Sequence, residues 1–393
     1  ISFLKLRGSY GKTGNFNIGN YLQISNITNT NYVFGGTLTP GLSITSLGNK
    51  EITWETSKQA DLGLEMNLLK NRLTFSYDYY NKITEGMLFG TSLPLSSGYT
   101  AVTLNVGKFK MWGHEFQLSS KNLTGALSWT TDFNISFNDN RVLELPPNTP
   151  SIPVVFGMYA NFNKSAVGRR IGEFYGYVFD GIYMSADELA KQPKYATSVV
   201  GSARMKDIDG NGVIDANDRT YIGNPNPDFT FGMTNTLTYK NFDFNVIVGG
   251  QVGNEVMNLS IQDFHNIDGI MNVSKDMINR WRSPTQQGDG VTPTTRSGST
   301  ELYRLANTTW IANGSYLTVR NIALGYTIKA KTIKYIKSAR IYASVQQAFV
   351  FTKYNGQNPE ASIGRDDAVG TYGQDLSTFP VPRTVMIGAN INF

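Results

Sequence analysis

Arg383-Thr384-Val385-Met386-Ile387-Gly388-Ala389-Asn390-Ile391-Asn392-Phe393 reads as a strand that ends on an aromatic carboxy-terminal residue. Val385, Ile387, Ala389, Ile391 and Phe393 share one face, and Gly388, Asn390 and Asn392 share the other, where Met386 is the only apolar side chain. Side chains alternate along a strand with period two, so the segment has a greasy side and a polar side. One such segment is any half-buried strand. Its weight comes from recurrence up the chain, because repeated alternation with even turns is how a closed barrel reads.

The recurrences are clean. Ala60, Leu62, Leu64, Met66 and Leu68 oppose Asp61, Gly63, Glu65 and Asn67, and Leu73, Phe75, Tyr77 and Tyr79 oppose Thr74, Ser76, Asp78 and Tyr80. Trp129, Thr131, Phe133, Ile135 and Phe137 alternate with polar residues, as do Phe242, Phe244, Val246 and Val248, and Ile341, Ala343, Val345, Phe349 and Phe351. A helix would need apolar residues at spacings of three and four, which these runs lack.

Composition agrees with one extended all-β object. Among 393 residues there are 39 Gly, 21 Tyr and 22 Phe, and charged residues make up only 17%. The absence of Cys excludes disulfides, thiolate metal sites and cysteine nucleophiles. No run of about 18 apolar residues offers a transmembrane helix. Barrel strands of about 10 residues are half polar, so a mean hydropathy of −0.25 is compatible with a barrel. The net charge of +5 is spread along the chain without a basic cluster, which argues against nucleic acid as a partner. The chain opens on Ile1, without an initiator Met or signal peptide, and strand pattern starts at once. This reads as a portion lacking its amino-terminal part.

Two sorts of connection take turns. Short polar ones are Lys70-Asn71-Arg72, Lys121-Asn122 through Gly125, Lys240-Asn241 and the stretch from Lys329 to Ser338. Long ones run about Gly11–Thr53, Glu85–Val106, Arg141–Asp228, Gly253–Gly314 and Asn355–Pro382. About ten spanning strands lie between them. If residues 1–10 run outward, every long loop falls outside, every short turn falls inside and the carboxy terminus is periplasmic, the arrangement of an outer-membrane barrel. The strand-like piece Ile171–Tyr183 belongs on this reading to the long excursion 141–228, although a missed pair of strands would preserve the same parity.

Specific stretches carry a resemblance. They include Leu4-Lys5-Leu6-Arg7-Gly8-Ser9-Tyr10-Gly11-Lys12-Thr13-Gly14-Asn15, Trp54-Glu55-Thr56-Ser57-Lys58-Gln59, Asp78-Tyr79-Tyr80-Asn81-Lys82 and Asn105-Val106-Gly107. Others are Phe174-Tyr175-Gly176-Tyr177-Val178-Phe179-Asp180-Gly181-Ile182-Tyr183, Asp207-Ile208-Asp209-Gly210-Asn211-Gly212-Val213-Ile214-Asp215, Gly223-Asn224-Pro225-Asn226-Pro227-Asp228, Gly314-Ser315-Tyr316-Leu317 with Arg320-Asn321, and Pro382-Arg383-Thr384. In order along the whole of 1–393, these resemble the carboxy-terminal part of SusC/RagA-type TonB-dependent outer-membrane transporters. The resemblance implies a barrel of about 22 strands, of which this chain would supply roughly the last ten. It also implies that the plug domain, the TonB box and the first strands lie elsewhere, together with the contacts to the TonB complex. Phe393 resembles the carboxy-terminal signal read by barrel-assembly machinery.

Asp207-x-Asp209-x-Asn211-Gly212-x-Ile214-Asp215-x-x-Asp218 matches a calcium loop with ligands at positions 1, 3, 5, 7, 9 and 12. Asp207, Asp209 and Asn211 would give side-chain oxygens, Val213 its carbonyl, and Asp215 a direct or water-mediated ligand. Gly212 permits the turn and Ile214 would anchor it inward. Asp218 replaces the usual Glu and has a shorter reach. The competing reading is an ion-free acidic turn rich in Asn, Asp and Gly.

Other motifs carry less. Gly11-Lys12-Thr13 resembles the end of a phosphate loop, but Leu6 stands where the first glycine is required. His114 and His265, the only histidines, leave little for a hydrolytic relay, and the chain is expected not to be an enzyme. Asn134-Ile135-Ser136 fits a glycosylation acceptor inside an alternating strand, a chance match. Trp54, Tyr79, Tyr80, Phe89, Tyr239, Phe351 and Tyr354 suit the interfacial girdles of a barrel. Tyr159, Phe162, Phe174, Tyr175, Trp281 and Trp310 lie in long loops, where they either stack on sugar rings or pack the loops.

The expected protein is thus an all-β antiparallel transmembrane barrel with long extracellular loops. The resemblance implies that it imports oligosaccharides, or peptides, with a SusD-like surface lipoprotein as partner, and that membrane lipid surrounds the wall. A surface glycan-binding adhesin and a diffusion porin are the alternatives. An adhesin would be soluble without detergent, and a porin would need neither plug nor lid.

Overall fold

The computed structural model describes residues 1–15, 19–93, 97–99, 101–147, 149–154, 162–265, 272–294, 305–329, 336–360 and 373–393. Its main body is a single ten-stranded antiparallel sheet. The strands are β1 (Phe3–Asn15), β2 (Glu55–Leu68), β3 (Leu73–Glu85), β4 (Lys108–Thr124) and β5 (Leu127–Glu144). They continue as β6 (Phe229–Tyr239), β7 (Phe242–Val252), β8 (Tyr316–Lys329), β9 (Ser338–Thr352) and β10 (Thr384–Asn392). Each pairs with its neighbour in sequence and with no other, so the wall is a pure up-and-down meander with β1 and β10 at its edges.

Antiparallel order puts all the short connections on one rim and all the long ones on the other. The four-residue turn after β2 uses Leu69, Lys70 and Asn71 with φ of 52°, 56° and 63°, and the two-residue turn after β6 uses Lys240 at 54°. Two-residue hairpin turns need such left-handed positions, which Asn tolerates best after Gly. A register shift near Asn122 lets β4 continue through Lys121–Thr124, so that turn is shorter than the residue types suggest.

The register aligns one face across the wall. Leu4 pairs with Met66, Met66 with Phe75, Phe75 with Leu118, Leu118 with Phe133 and Phe133 with Met233. The row goes on through Val248, Val319 and Phe349. Leu6, Leu62, Phe242, Leu324, Ile341, Phe351 and Ile387 on the same face are all exposed. Buried apolar wall side chains are instead found towards the long-loop rim, where Phe109 and Val142 pack with Leu145 and Ile171.

The long connections form a cap of their own. The described residues of 145–228 add no strand to the wall. Ser151–Val154, Asn163–Ala166, Glu173–Gly176 and Thr220–Gly223 build a four-stranded sheet, and Phe179–Ile182 pairs with Ala203–Met205. The piece 171–183 therefore belongs to the excursion. Phe174 from this connection is buried with Met257, Leu259, Ala306 and Trp310 from the next one, and Leu376 from the last packs against them. A third cluster joins Tyr177, Ala203, Met205 and Ile214.

Candidate functional site

The acidic loop lies in the cap and is closed by its own backbone. Gly210 and Gly212 take left-handed φ of 74° and 82°, conformations that cost a residue with a Cβ. The turn they make curls the chain around Asp207, whose Oδ1 accepts from Gly210 N at 2.7 Å and whose Oδ2 accepts from Gly212 N at 2.8 Å. The Gly212 N–H, opposed by desolvation and reinforced by Gly210, holds the Asp207 carboxyl below the ordinary range. Asp218 is fully buried and accepts from Ile208 N and Asp215 N, both at 2.8 Å.

Carboxylate oxygens of Asp207, Asp209 and Asp218 lie within 4.8 Å of one another, the only such group of His, Cys, Asp or Glu among the described residues. The other expected ligands are turned elsewhere. Asp215 Oδ1 caps the following turn by accepting from Asn217 N at 2.7 Å, and Asn211 Oδ1 accepts from Val213 N at 2.8 Å. Val213 is exposed, while Ile214 is buried, anchoring the loop to the Tyr177 cluster. Three converging carboxylates fit a cation, because each accepting oxygen keeps a further lone pair. Six to eight oxygens are usual for calcium, so water or turned side chains would supply the rest.

The loop aromatics pack rather than present open faces. Phe174 and Trp310 are fully buried, Trp281 is nearly so, and Phe162 meets Trp310 edge-on at 5.8 Å. Tyr175 meets Tyr221 edge-on at 5.3 Å, with Lys164 Nζ 4.0 Å from its ring centre. Tyr159 lies outside the described residues. Of the girdle residues, Tyr79 is on the apolar face. Tyr80 is not: it alternates to the polar face and donates to Asn138 Oδ1 at 2.9 Å. Phe89 packs beside Phe109, and Tyr354 is buried in the cap, donating to Asp375 Oδ2 at 2.6 Å. Position near a strand end does not tell an interface from a cap when the loops are this long. His114 sits on the apolar face, its Nδ1 2.9 Å from the Tyr77 hydroxyl.

On the polar face, three pairs reach across a strand that separates them. Arg7 donates to Asp78 Oδ1 at 2.8 Å over Gly63, Tyr80 reaches Asn138 over Gly113, and Arg340 donates to Asp243 over Gly325. A Cβ on any of the three glycines would fall within 2.6 Å of one of those side chains. The residues were not foreseen as a set. Their signal was a glycine in the middle of an otherwise regular strand, a place that marks close approach.

Residues 2–346 match the family described as TonB dependent receptor-like, beta-barrel. The whole chain aligns with TonB-dependent receptor P3 of Formosa agariphila at 34% identity, and with TonB-dependent receptor SusC of Bacteroides thetaiotaomicron at 27%. It covers 40% of the first and 38% of the second, so it spans about 40% of the length of the curated relatives it matches. In three dimensions it resembles a chain of the RagAB peptide transporter with a TM-score of 0.78 at 23% identity, over 99% of this chain and 40% of that one. At that identity the likeness is one of fold.

Proposed function

Because the chain belongs to the TonB-dependent receptor-like β-barrel family, we propose that it forms wall and outer loops of an outer-membrane importer for oligosaccharides or peptides. The observation that carries this reading is the two-sidedness of the sheet. One face is apolar across strand after strand and uncovered, and the other is polar and laced by ion pairs and hydrogen bonds. Lipid against the first face and an aqueous lumen along the second satisfy both. The tight-turn rim and the carboxy terminus then face the periplasm and the cap faces outward.

The chain's own residues bind and shape; they make no covalent bond to the cargo. The cap, welded across three connections by Phe174, Trp310 and Leu376, is the surface that a SusD-like lipoprotein would cover. Coupling to the TonB complex would come from segments outside these residues. Asp207, Asp209 and Asp218 would hold Ca2+, with Asn211, Val213 and Asp215 completing its shell after small rotations, to brace the cap rather than to switch it.

Growth of a strain lacking the full gene tests the reading. It should fail on an oligosaccharide or peptide too large for porins as sole carbon source, and grow normally on the monomers. Normal growth on every such polymer would remove import. A full-length protein that stays monodisperse without detergent would remove the membrane wall and favour the adhesin.

A further inference from the structure

We propose that the outward end of the apolar face binds the phosphate-bearing head groups of outer-leaflet lipid, an inference that rests on the membrane reading above. The register assembles the site from strands far apart in sequence. Lys12 pairs with Lys58, Lys58 with Ile83, Ile83 with Lys110, and Lys110 with Arg141. Four cations and one isoleucine thus form a single row across β1–β5, about 19 Å long at ~4.8 Å per strand. The charge that looks scattered along the sequence is concentrated here, because partners from separate hairpins meet only through pairing.

The row lies on the apolar face. Two residues inward along each strand come Tyr10, Ala60, Asn81, Trp112 and Asp139, and two further come Gly8, Leu62, Tyr79, His114 and Phe137. Four residues of β4 separate His114 from Lys110, roughly 10 Å of height at a strand tilt of ~40°. That places the cations above the aromatic edge of the apolar band, where head groups sit.

Like charges directly opposite each other in a sheet are destabilising, and the row contains two such pairs. Lys58 pairs with Glu85 at 2.6 Å, a carboxylate it shares with Lys108 at 2.8 Å. Lys12, Lys110 and Arg141 make no ion pair among the described residues. Lys110 Nζ and the Arg141 guanidinium instead flank the Trp112 ring at 5.0 and 5.9 Å. Asp139, the acid in the next row inward, is engaged by Arg170 Nε at 2.7 Å. An anion between Lys110 and Arg141, its acyl chains running down over Trp112, His114 and Phe137, would relieve the repulsion. A phosphate monoester on a lipid has that charge and that geometry.

Native mass spectrometry of the full-length protein in non-ionic detergent, titrated with lipid A, tests the site. The wild type should retain lipid A, and the double variant K110Q/R141Q should bind it about 25-fold more weakly, at about fivefold per neutralised cation. K70Q/K240Q, the same charge change at the opposite rim, should bind as the wild type does. Millimolar inorganic phosphate should not displace the lipid. Equal retention by an inserted K110Q/R141Q protein overturns the head-group site while leaving the membrane reading intact, and displacement by phosphate reduces it to a small-anion site. Wild-type protein soluble without detergent overturns both.

Discussion

Arg340 donates to both carboxylate oxygens of Asp243 although their strands, β9 and β7, never touch. Gly325 on the intervening β8 leaves the space: a Cβ there would fall 2.5 Å from Arg340 Nε and 2.6 Å from Asp243 Oδ1. The pair therefore ties three strands together from the polar side.

Gly325→Val should separate the two side chains. Both are about one-third exposed, so the loss is modest, about 1 kcal/mol. Urea midpoints of the refolded barrel would measure it. In an Asp243→Asn background the valine should cost much less, since the interaction is already gone. Additive losses would show that the valine acts through the backbone and not through the pair.

Trp310→Ala should loosen the cap and leave the wall intact. The side chain is fully buried among residues of two other connections, and removing such a ring costs about 3–5 kcal/mol. Limited proteolysis should cut within 145–228 or 253–315 many times faster than in the wild type, with a protected core of wall strands. Unchanged cleavage would mean the cap does not depend on this cluster.

Burial pushes the Tyr183 hydroxyl up to about 12 from an ordinary 10.0, and it donates to the Pro193 carbonyl at 2.5 Å. The folded state favours the neutral phenol. Its stabilisation is complete below pH 10 and is lost as pH rises towards 12. Phenolate absorbance should report this titration, and cap hydrogen exchange should accelerate over the same window. Tyr183→Phe should remove the transition and cost about 1 kcal/mol at neutral pH.

Asp207 runs the opposite way. Its carboxyl is held below the ordinary 3.8 mainly by the Gly212 N–H, so its contribution is present above that value and is lost as pH falls through the depressed one. Calcium at about 1 mM should slow amide exchange across 207–218, as expected for a weak extracellular site. Asp207→Asn should abolish the protection and Asp215→Asn should weaken it less, because the Asp215 carboxylate serves the Asn217 N–H. Exchange indifferent to calcium in the wild type would leave an ion-free turn.

The wall was legible where alternation keeps one phase. Strands β2, β3, β5, β7, β9 and β10 show it directly. β8 hides it: Leu317 and Val319 are on the apolar face at odd positions, and Ile322 and Leu324 at even ones, because the register shifts around Arg320. The calcium-like loop was legible in its spacing and in the inward Ile214, but not in the turning away of Asp215 and Asn211, which depends on which backbone N–H groups lie nearby. The cap aromatics could not be sorted, since burial of Trp310 depends on residues from three connections. The cationic row was invisible for a related reason, as its members become neighbours only through four successive registers.

Pairing of every wall strand with its sequence neighbour also has a kinetic side. Closing a tight turn such as 69–72 costs little chain entropy, so wall hairpins are contacts that form early. The cap is the reverse: Gln374 donates to Asn163 across 211 residues of chain. That buried polar contact must wait until β6 to β9 have brought the two ends together. Pulse-labelled exchange should therefore protect β2 and β3 before the Gln374 region, and a defect in any later hairpin should leave an inserted wall whose outer surface is still unfinished.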